Sequence, residues 1–307
     1  MSQTETAVSL TPQNARDPHE LKDIFSKADD LPTLPEVAMR LQELVNNPDS
    51  CAADVARLID EDPAIATKVL KMVNSVFYAP VHGSEIKELQ PAIARLGFVT
   101  VANIALSTSV FQSFAKVKNP AFDRREFWRH SVCVGIIASI LYDISGNEMK
   151  QHLTRDVVHL AGIVHDMGKI LFERYANEEF HQAVLSATNE DIPVVKEEAR
   201  FIGMGHDEAG EWLGRRWKLN DEILAVVRWH HDPMACPDEH LRDLVKLIHM
   251  ADYICHHQGM GESGNPSPSY DHRVREALNM TPDRIAKVME AVMEETQQSE
   301  VLLSLAD

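Results

Sequence analysis

The chain has few cysteines and no long apolar run, and each shortage argues against a class of protein. Its four cysteines, Cys51, Cys133, Cys236 and Cys255, are widely spaced and form no CxxC pair. Neither a disulfide framework nor a zinc ribbon is therefore indicated, and a reducing compartment is expected. The longest mostly apolar run, 132–142, is too short to span a bilayer, and the polar first twenty residues lack the apolar core of a signal peptide. We predict a cytoplasmic protein without a membrane partner.

Positive charge is also scarce. The 30 lysine and arginine residues are outnumbered by 47 aspartate and glutamate residues, which gives a formal net charge of -17. Such a surface repels nucleic acid at long range, so we do not expect nucleic acid as a partner. An anionic substrate would need a locally positive pocket, which bound cations can provide. The length of 307 residues and the hydrophobic content of 44% suit one large or two modest domains.

Helical periodicity follows nearly the whole chain, and no alternating strand pattern is evident, so the predicted fold class is all-α. A polar tail, 1–18, is expected to be disordered. A first lobe over 19–118 is predicted to hold helices at 33–45, 52–59, 63–73, 86–96 and 99–114. A second lobe over 119–257 is predicted to hold helices at 123–144, 155–175, 177–189, 193–201, 206–217, 222–231 and 239–257. A flexible loop at 258–272 and a C-terminal helix within 273–307, at 282–299, complete the prediction.

Four of these helix starts carry capping signals. They are Thr33 with Glu36, Asp62-Pro63, Asn220, and Thr281-Pro282. Serine, threonine, aspartate and asparagine accept hydrogen bonds from the first free N–H groups of a helix, and proline fits its first turn.

The stretch 161–171, Ala-Gly-Ile-Val-His-Asp-Met-Gly-Lys-Ile-Leu, is mostly apolar and predicts a buried helix. It nevertheless carries His165, Asp166 and Lys169 at its centre. On a helix Lys169 follows His165 by four residues and Asp166 by three, so the three side chains project to one side. Burial of this much polarity is costly unless something compensates it. A metal ion held by His165 and Asp166, with Lys169 directed at an anion, would do so.

Other metal-capable side chains lie on predicted helices of the second lobe. Besides the doublet they are His130, His206, the adjacent pair His230-His231, and Asp252. Imidazole together with carboxylate suits divalent iron, manganese, nickel or zinc. Seven ligands are too many for one such ion, whereas two ions that share a bridging carboxylate would use them. Sites with two metal ions suit the hydrolysis of phosphate esters.

The order and spacing of these residues resemble the HD superfamily of metal-dependent phosphohydrolases, named for its His-Asp doublet. Over 20–257 the chain more closely resembles an HDOD domain, an output domain of bacterial signalling proteins. The first lobe carries this likeness in the motifs Leu31-Pro32-Thr33-Leu34-Pro35, Ile59-Asp60-Glu61-Asp62-Pro63-Ala64, Val73-Asn74-Ser75 and Pro91-Ala92-Ile93-Ala94-Arg95-Leu96-Gly97. The resemblance implies a two-lobed helical HDOD fold whose second lobe is an HD-type bundle.

The resemblance also implies a role for each site residue. His130, His165, Asp166 and Asp252 would hold one ion, and His206, His230 and His231 would hold a second, with Asp166 bridging the two. Asp166 and Lys169 would be the catalytic residues, with Lys169 contacting a substrate phosphate. Arg129 and Arg228 are further candidates for phosphate contacts. His231 is followed by Asp232-Pro233-Met234-Ala235 and not by the Gly-Tyr-Pro of related cyclic di-GMP phosphodiesterases, which argues against that substrate.

Two functions remain open from the sequence. One is a phosphohydrolase with one or two divalent ions that acts on a nucleotide or another small phosphate ester. The other is a non-catalytic signalling module that binds a protein partner, with the same side chains satisfying one another in a polar network. Lys169 could equally extend its ammonium group to solvent, and His249, His256 and His257 are not expected to be ligands. An enzyme needs an open path to the ions, whereas a scaffold can seal the site.

Overall fold

The computed structural model describes residues 36–47, 49–74, 86–112 and 122–297 of the chain. Within these ranges it consists of α-helices, one 3₁₀ turn and connecting loops, without a strand. The predicted all-α class is therefore confirmed. The tail 1–18, the motif at 31–35 with its capping residue Thr33, and the predicted lobe boundary near 119 lie outside the described residues.

The described part of the first lobe contains five helices: α1 (Glu36–Asn46), α2 (Ala52–Asp60), α3 (Pro63–Val73), α4 (Leu89–Leu96) and α5 (Phe98–Gln112). Helix α5 lies at the centre and packs against α1, α3 and α4. The start of α3 is as predicted, because the Asp62 carboxylate accepts a hydrogen bond from the Ile65 N–H at 3.2 Å. The predicted start at residue 86 is wrong, since the Asn74 side chain binds both backbone groups of Ile86, at 2.7 and 2.6 Å.

Helices α4 and α5 meet at Gly97, where the chain turns by 117°. Gly97 has φ +86°, a value that residues with a Cβ atom rarely adopt. Within the described residues no single helix is long and apolar enough to cross a membrane. In the described part of the chain one bent pair, Leu89–Leu96 with Phe98–Leu106, meets the length and composition of a span.

The second lobe is built around a long helix, α6 (Arg124–Asp143), which packs against α8 and α14. The other helices are α7 (Asn147–Lys150), α8 (Arg155–Val164), α9 (Gly168–Tyr175), α10 (Asn177–Glu190), α11 (Val194–Phe201), α12 (His206–Arg216), α13 (Asp221–Trp229) and α14 (Glu239–His257), with a 3₁₀ turn at Pro233–Ala235. Asn220 caps α13 as predicted, accepting from the Ile223 N–H at 3.1 Å. The short helix α7 was not predicted.

The prediction of one continuous helix over 155–175 is wrong. The chain leaves α8 after Val164, turns at His165–Met167 and enters α9 at Gly168. Hydrogen bonds of the i→i+3 type tighten this turn, from the Met167 N–H to the Val164 carbonyl and from the Lys169 N–H to the Asp166 carbonyl, each at 3.0 Å. His165 and Lys169 therefore belong to different helical segments, and the spacing argument for a continuous helix does not apply to them.

Two glycines allow α6 and α8 to cross closely. A Cβ atom on Gly162 would lie 2.6 Å from the Gly135 Cα, and one on Gly135 would lie 2.9 Å from the His159 carbonyl oxygen. Real Cβ contacts are longer, so any larger residue would force the helices apart. The close crossing brings His130 of α6 beside His165, with ring centroids 5.5 Å apart.

Helices of both predicted lobes contribute to one continuous apolar core. Helix α5 of the first lobe packs against α8 of the second. At this contact the Thr100 hydroxyl donates a hydrogen bond to the Asp156 carboxylate at 2.9 Å.

The segment predicted as a flexible loop, 258–272, lies against the second lobe and contains no helix before His272. Gly261, at φ +84°, sits so close to α6 that a Cβ atom there would lie 2.5 Å from the Glu126 carbonyl oxygen. The Asn265 side chain accepts a hydrogen bond from the Val194 N–H at 3.1 Å. Two helices follow, α15 (His272–Ala277) and α16 (Pro282–Gln297), and Thr281 caps α16 through the Arg284 N–H at 3.4 Å.

Candidate metal centre

The turn at His165–Met167 places the His-Asp doublet at the meeting point of four helices. His130 projects from α6, His206 is the first residue of α12, His230 and His231 follow α13, and Asp252 lies on α14. Gly168 lets α9 approach α12 so closely that a Cβ atom there would overlap the His206 carbonyl oxygen. The structure thus brings together all seven residues predicted as ligands, although the sequence separates the first from the last by more than a hundred positions.

The ligand atoms form two overlapping groups that share Asp166. One contains Asp166, His206, His230 and His231, and the other contains His130, His165 and Asp166, with the ligand atoms of each group within 4.8 Å of one another. Asp252 adjoins the second group, because its Oδ1 lies 3.1 Å from His130 Nε2 and 3.8 Å from His165 Nε2. The two groups contain the same residues as the two predicted ligand sets, and Asp166 is common to both groups. That these residues bind metal remains a prediction.

Hydrogen bonds to backbone carbonyl groups indicate the tautomer of two of the imidazole rings. His165 Nδ1 lies 2.8 Å from the Gly162 carbonyl oxygen, and His230 Nδ1 lies 3.1 Å from the carbonyl oxygens of Val226 and Val227. Because a carbonyl oxygen accepts only, the proton of each neutral ring resides on Nδ1. Their Nε2 atoms are then left with lone pairs, the form in which histidine binds metal ions. His206 Nδ1 has a carboxylate partner, Glu198, at 2.5 Å.

Several buried atoms of the centre lack a hydrogen-bond partner among the described residues. They are His130 Nε2, His165 Nε2, His230 Nε2 and Asp166 Oδ1. Buried polar atoms in proteins are nearly always satisfied, and each exception calls for an explanation such as an ion. Asp166 Oδ1 lies 3.0 Å from His206 Nε2 and 3.4 Å from His230 Nε2, and His206 Nε2 lies 2.8 Å from His231 Nε2, so several possible ligand atoms face one another. The residues therefore fit a divalent cation, which would bind these lone pairs simultaneously.

The electrostatic surroundings favour positive charge at this point. Burial alone would lower the pKa of His206, but the carboxylates of Glu198 and Asp166 raise it to about 9. Burial opposes ionisation of Asp166, yet His165, Lys169 and His206 hold its pKa well below the usual range. Burial lowers the pKa of His165 to about 4, so this ring is neutral near pH 7. Asp166 and His165 are therefore in the forms that metal ions require, an ionised carboxylate and a neutral imidazole, whereas His206 would release a proton on binding an ion.

Lys169 does not extend to solvent, and that alternative is wrong. Its side chain is only 1% exposed, and its ammonium group donates a hydrogen bond to Asp166 Oδ2 at 2.6 Å. A direct contact between Lys169 and a phosphate would require this buried ion pair to open. Of the two predicted arginines, Arg228 is paired with Asp207 and lies 3.5 Å from Glu211, and Arg129 lies 3.7 Å from Glu126.

Access to the centre is narrow. His165 and His206 are fully buried, and His130, Lys169 and His230 are each 1% exposed. Asp252 is 8% exposed, and His231 is only partly buried. The solvent-facing side of the centre is therefore formed by His231 and Asp252. Burial also lowers the pKa of His231, with His230 and His206 acting in the same direction.

Two residues near the centre were not predicted to take part in it. His249, set aside as a ligand, accepts at Nε2 from the Asp271 N–H at 3.1 Å, and its Nδ1 lies 2.7 Å from the His230 carbonyl oxygen. Glu198 is fully buried, and its carboxylate contacts His206 at Nδ1, the ring nitrogen on the side away from Asp166. A signal for Glu198 was present, since it lies at helical spacing from the buried residues Val194 and Phe201 and so occupies the apolar face of α11.

Comparison with known proteins identifies relatives of this fold. A family model described as HDOD domain matches residues 31–233. An uncharacterized protein of Treponema pallidum (strain Nichols) is 25% identical over 229 residues, which make up 75% of this chain. The chain spans less than half of that relative, 43% of its length.

Solved structures give the same result. An HDOD domain protein of unknown function from Geobacter sulfurreducens has 26% identity and a TM-score of 0.70, with 93% of this chain and 95% of that chain covered. A Shewanella amazonensis SB2B protein whose name proposes a metal-dependent phosphohydrolase has 23% identity and a TM-score of 0.64, with 94% and 97% covered. At that identity the second likeness establishes the fold alone.

Proposed function

The chain belongs to the HDOD domain family, and we propose that it is a metal-dependent phosphohydrolase of HD type that acts in signal transduction. The proposed substrate is a nucleotide or another small phosphate ester. One observation carries this proposal: three buried imidazole nitrogens and one carboxylate oxygen converge without hydrogen-bond partners among the described residues. A polar network that satisfied itself would pair these atoms with donors, because each unpaired buried group costs about 1–3 kcal/mol.

His130, His165, Asp166 and Asp252 would hold one divalent ion, and His206, His230 and His231 would hold a second through the shared Asp166. Iron, manganese, nickel and zinc suit this mixture of imidazole and carboxylate. When bound, such ions lower the pKa of water and stabilise charge on phosphoryl oxygens.

The protein's own residues divide the remaining tasks. Lys169 holds Asp166 Oδ2 at 2.6 Å and leaves Oδ1 directed at His206 and His230. Because its ammonium group is buried, its charge acts on a substrate through the low-dielectric interior. The side formed by His231 and Asp252 admits the phosphate ester, and the surrounding buried helices exclude bulk water. Cyclic di-GMP is not the proposed substrate, since Asp232-Pro233-Met234 replaces Gly-Tyr-Pro after His231.

The first test is the metal content of protein purified without chelators or a nickel column. We expect near-stoichiometric iron, manganese, nickel or zinc in the wild type and its loss in Asp166→Asn. The control is Asp207→Asn, because Asp207 is also a buried aspartate, adjoins His206 in sequence, and is paired with Arg228. A ratio near two would favour the binuclear form. Absence of metal after reconstitution under reducing conditions would refute the proposal.

The second test is hydrolysis of a panel of nucleotides and p-nitrophenyl phosphate esters by the metal-loaded protein. Turnover that disappears in Asp166→Asn and persists in Asp207→Asn would support the enzyme.

A second candidate function is a non-catalytic signalling module that binds a protein partner. The narrow access favours it, because among the described residues of the centre only His231 and Asp252 reach its solvent-facing side, which restricts the approach of a substrate to a bound ion. Bound metal without turnover of any ester in the panel would favour this second candidate.

A further inference from the structure

Glu198 contacts a predicted ligand of the candidate centre directly, although it is not itself one of the predicted ligands. Its carboxylate is fully buried, and its Oε2 accepts from the backbone N–H of His206 at 2.9 Å. The same oxygen lies 2.5 Å from His206 Nδ1. The two contacts hold the backbone and the ring of one residue against a single oxygen, so the ring cannot rotate without losing a charged hydrogen bond.

We propose that Glu198 is a positioning residue that fixes the ring of His206 for metal binding and strengthens it as a ligand. This inference rests on the metal centre proposed above. With Nδ1 held by a carboxylate, Nε2 faces Asp166 Oδ1 at 3.0 Å and His231 Nε2 at 2.8 Å, and it is the nitrogen that would bind an ion shared with those two side chains. A negative partner at Nδ1 makes the imidazole more basic and therefore a stronger donor.

The other imidazoles have weaker partners at Nδ1, which makes His206 distinct. His165 and His230 are held by backbone carbonyl oxygens, and His130 Nδ1 lies 3.5 Å from the Cys255 thiol. Glu198 alone among these partners carries a full charge. We therefore expect the ion held by His206 to be the one most sensitive to its loss.

The alternative is that Glu198 has a purely structural role, and the experiment must distinguish that role from the positioning of His206 for metal binding. His206 begins α12, and a carboxylate that accepts the first N–H of a helix stabilises the helix start. Glutamine at position 198 can still accept that hydrogen bond through its amide oxygen, but it carries no charge. Its amide nitrogen would take the place of Glu198 Oε1, which has no hydrogen-bond partner among the described residues. Glu198→Gln therefore keeps a cap acceptor and removes the charge.

The adjacent Glu197 provides a matched control. It lies on the same helix, is also buried, and bonds to the Ser186 hydroxyl at 2.5 Å and to Arg200 at 3.0 Å. Its carboxylate therefore serves side chains outside the centre. Glu197→Gln removes one buried negative charge from α11 without changing the partner of His206.

The experiment measures zinc affinity of the wild type, Glu198→Gln and Glu197→Gln by competition with a chromophoric chelator. We expect Glu198→Gln to bind zinc about 10–100-fold more weakly, the effect typical of losing such a partner, and Glu197→Gln to match the wild type. Nitrogen-15 histidine spectra of the zinc-loaded proteins give a second readout. The Nδ1 proton of His206 should resonate furthest downfield in the wild type and shift upfield only in Glu198→Gln. Urea unfolding of the metal-free proteins reports any change in folding separately.

Equal zinc affinity in the wild type and Glu198→Gln would overturn the inference, even if the variant were less stable. An equal loss in Glu197→Gln would also overturn it, because the effect would then come from charge removal in α11. A wild-type protein without bound metal would refute this inference together with the proposed function. Metal binding that depends on Glu198 but accompanies no ester hydrolysis would support the inference and refute only the enzyme.

Discussion

Replacement of Gly168 by alanine tests how the fold assembles the centre. Gly168 is the first residue of α9, and its Cα faces the start of α12. A Cβ atom there would overlap the His206 carbonyl oxygen and lie 2.7 Å from the Gly210 nitrogen. Both are backbone atoms, so no side chain can rotate to make room. Relief requires α9 and α12 to move apart, and with them Asp166 and His206.

The magnitude follows from this geometry. Ordinary contacts begin at 3.4 Å, so the Gly210 nitrogen alone demands a separation of roughly 0.7 Å, and the His206 carbonyl oxygen demands more. Overpacking of this kind costs about 1–3 kcal/mol, occasionally more. Helix propensity acts in the opposite direction and favours alanine over glycine by up to about 1 kcal/mol. We expect a net loss of about 2 kcal/mol in the free energy of unfolding, together with weaker metal binding.

The assay combines urea unfolding, followed by far-ultraviolet circular dichroism, with metal content of the same samples. Gly146→Ala is the control, because a Cβ atom at Gly146 would meet no atom within 4 Å. We expect that variant to keep the stability and the metal of the wild type. If Gly168→Ala were as stable as Gly146→Ala and retained its metal, the close approach of α9 and α12 would not be what brings Asp166 to His206.

Three further predictions concern the surroundings of the centre. In urea unfolding, Gly261→Ala should destabilise the protein by about 2 kcal/mol more than Gly259→Ala. Both glycines have positive φ, but of the two only Gly261 contacts α6. Equal losses of stability in the two variants would contradict a role for this contact. Burial lowers the pKa of His159 to about 4, so the unfolded chain binds more protons below pH 6.5 and stability should fall by up to about 3 kcal/mol as the pH drops from 6.5 to 4. His159→Gln should reduce this pH dependence, and an unchanged profile would show that the ring does not stay neutral. Arg124→Met should lower the free energy of unfolding by about 3–5 kcal/mol, because it leaves the fully buried Glu173 unpaired. The double variant Arg124→Met with Glu173→Leu should recover most of this loss. A double variant as unstable as Arg124→Met would show instead that the ion pair itself contributes the stability.

The sequence by itself determined the fold class, most helix positions and the residues that converge. Asp62, Asn220 and Thr281 cap the helices they were predicted to start, because capping depends on groups within one turn of the chain. Asn74, which directly follows α3, binds both backbone groups of Ile86 through its side chain. The ligand set was identified by resemblance to a family. The order and spacing of its motifs can be read from the sequence, whereas the distances between the ligand atoms cannot.

The tertiary structure alone decided how that set is held. The turn at His165–Met167 interrupts a sequence with helical periodicity, and directly after it Gly168 approaches the backbone of α12. Lys169 is buried against Asp166, although lysine in a mostly apolar segment could equally have reached solvent. Glu198 serves His206 from a different helix. Periodicity records which face of a helix is buried, but the partner on that face comes from distant parts of the chain, and only packing brings the two together.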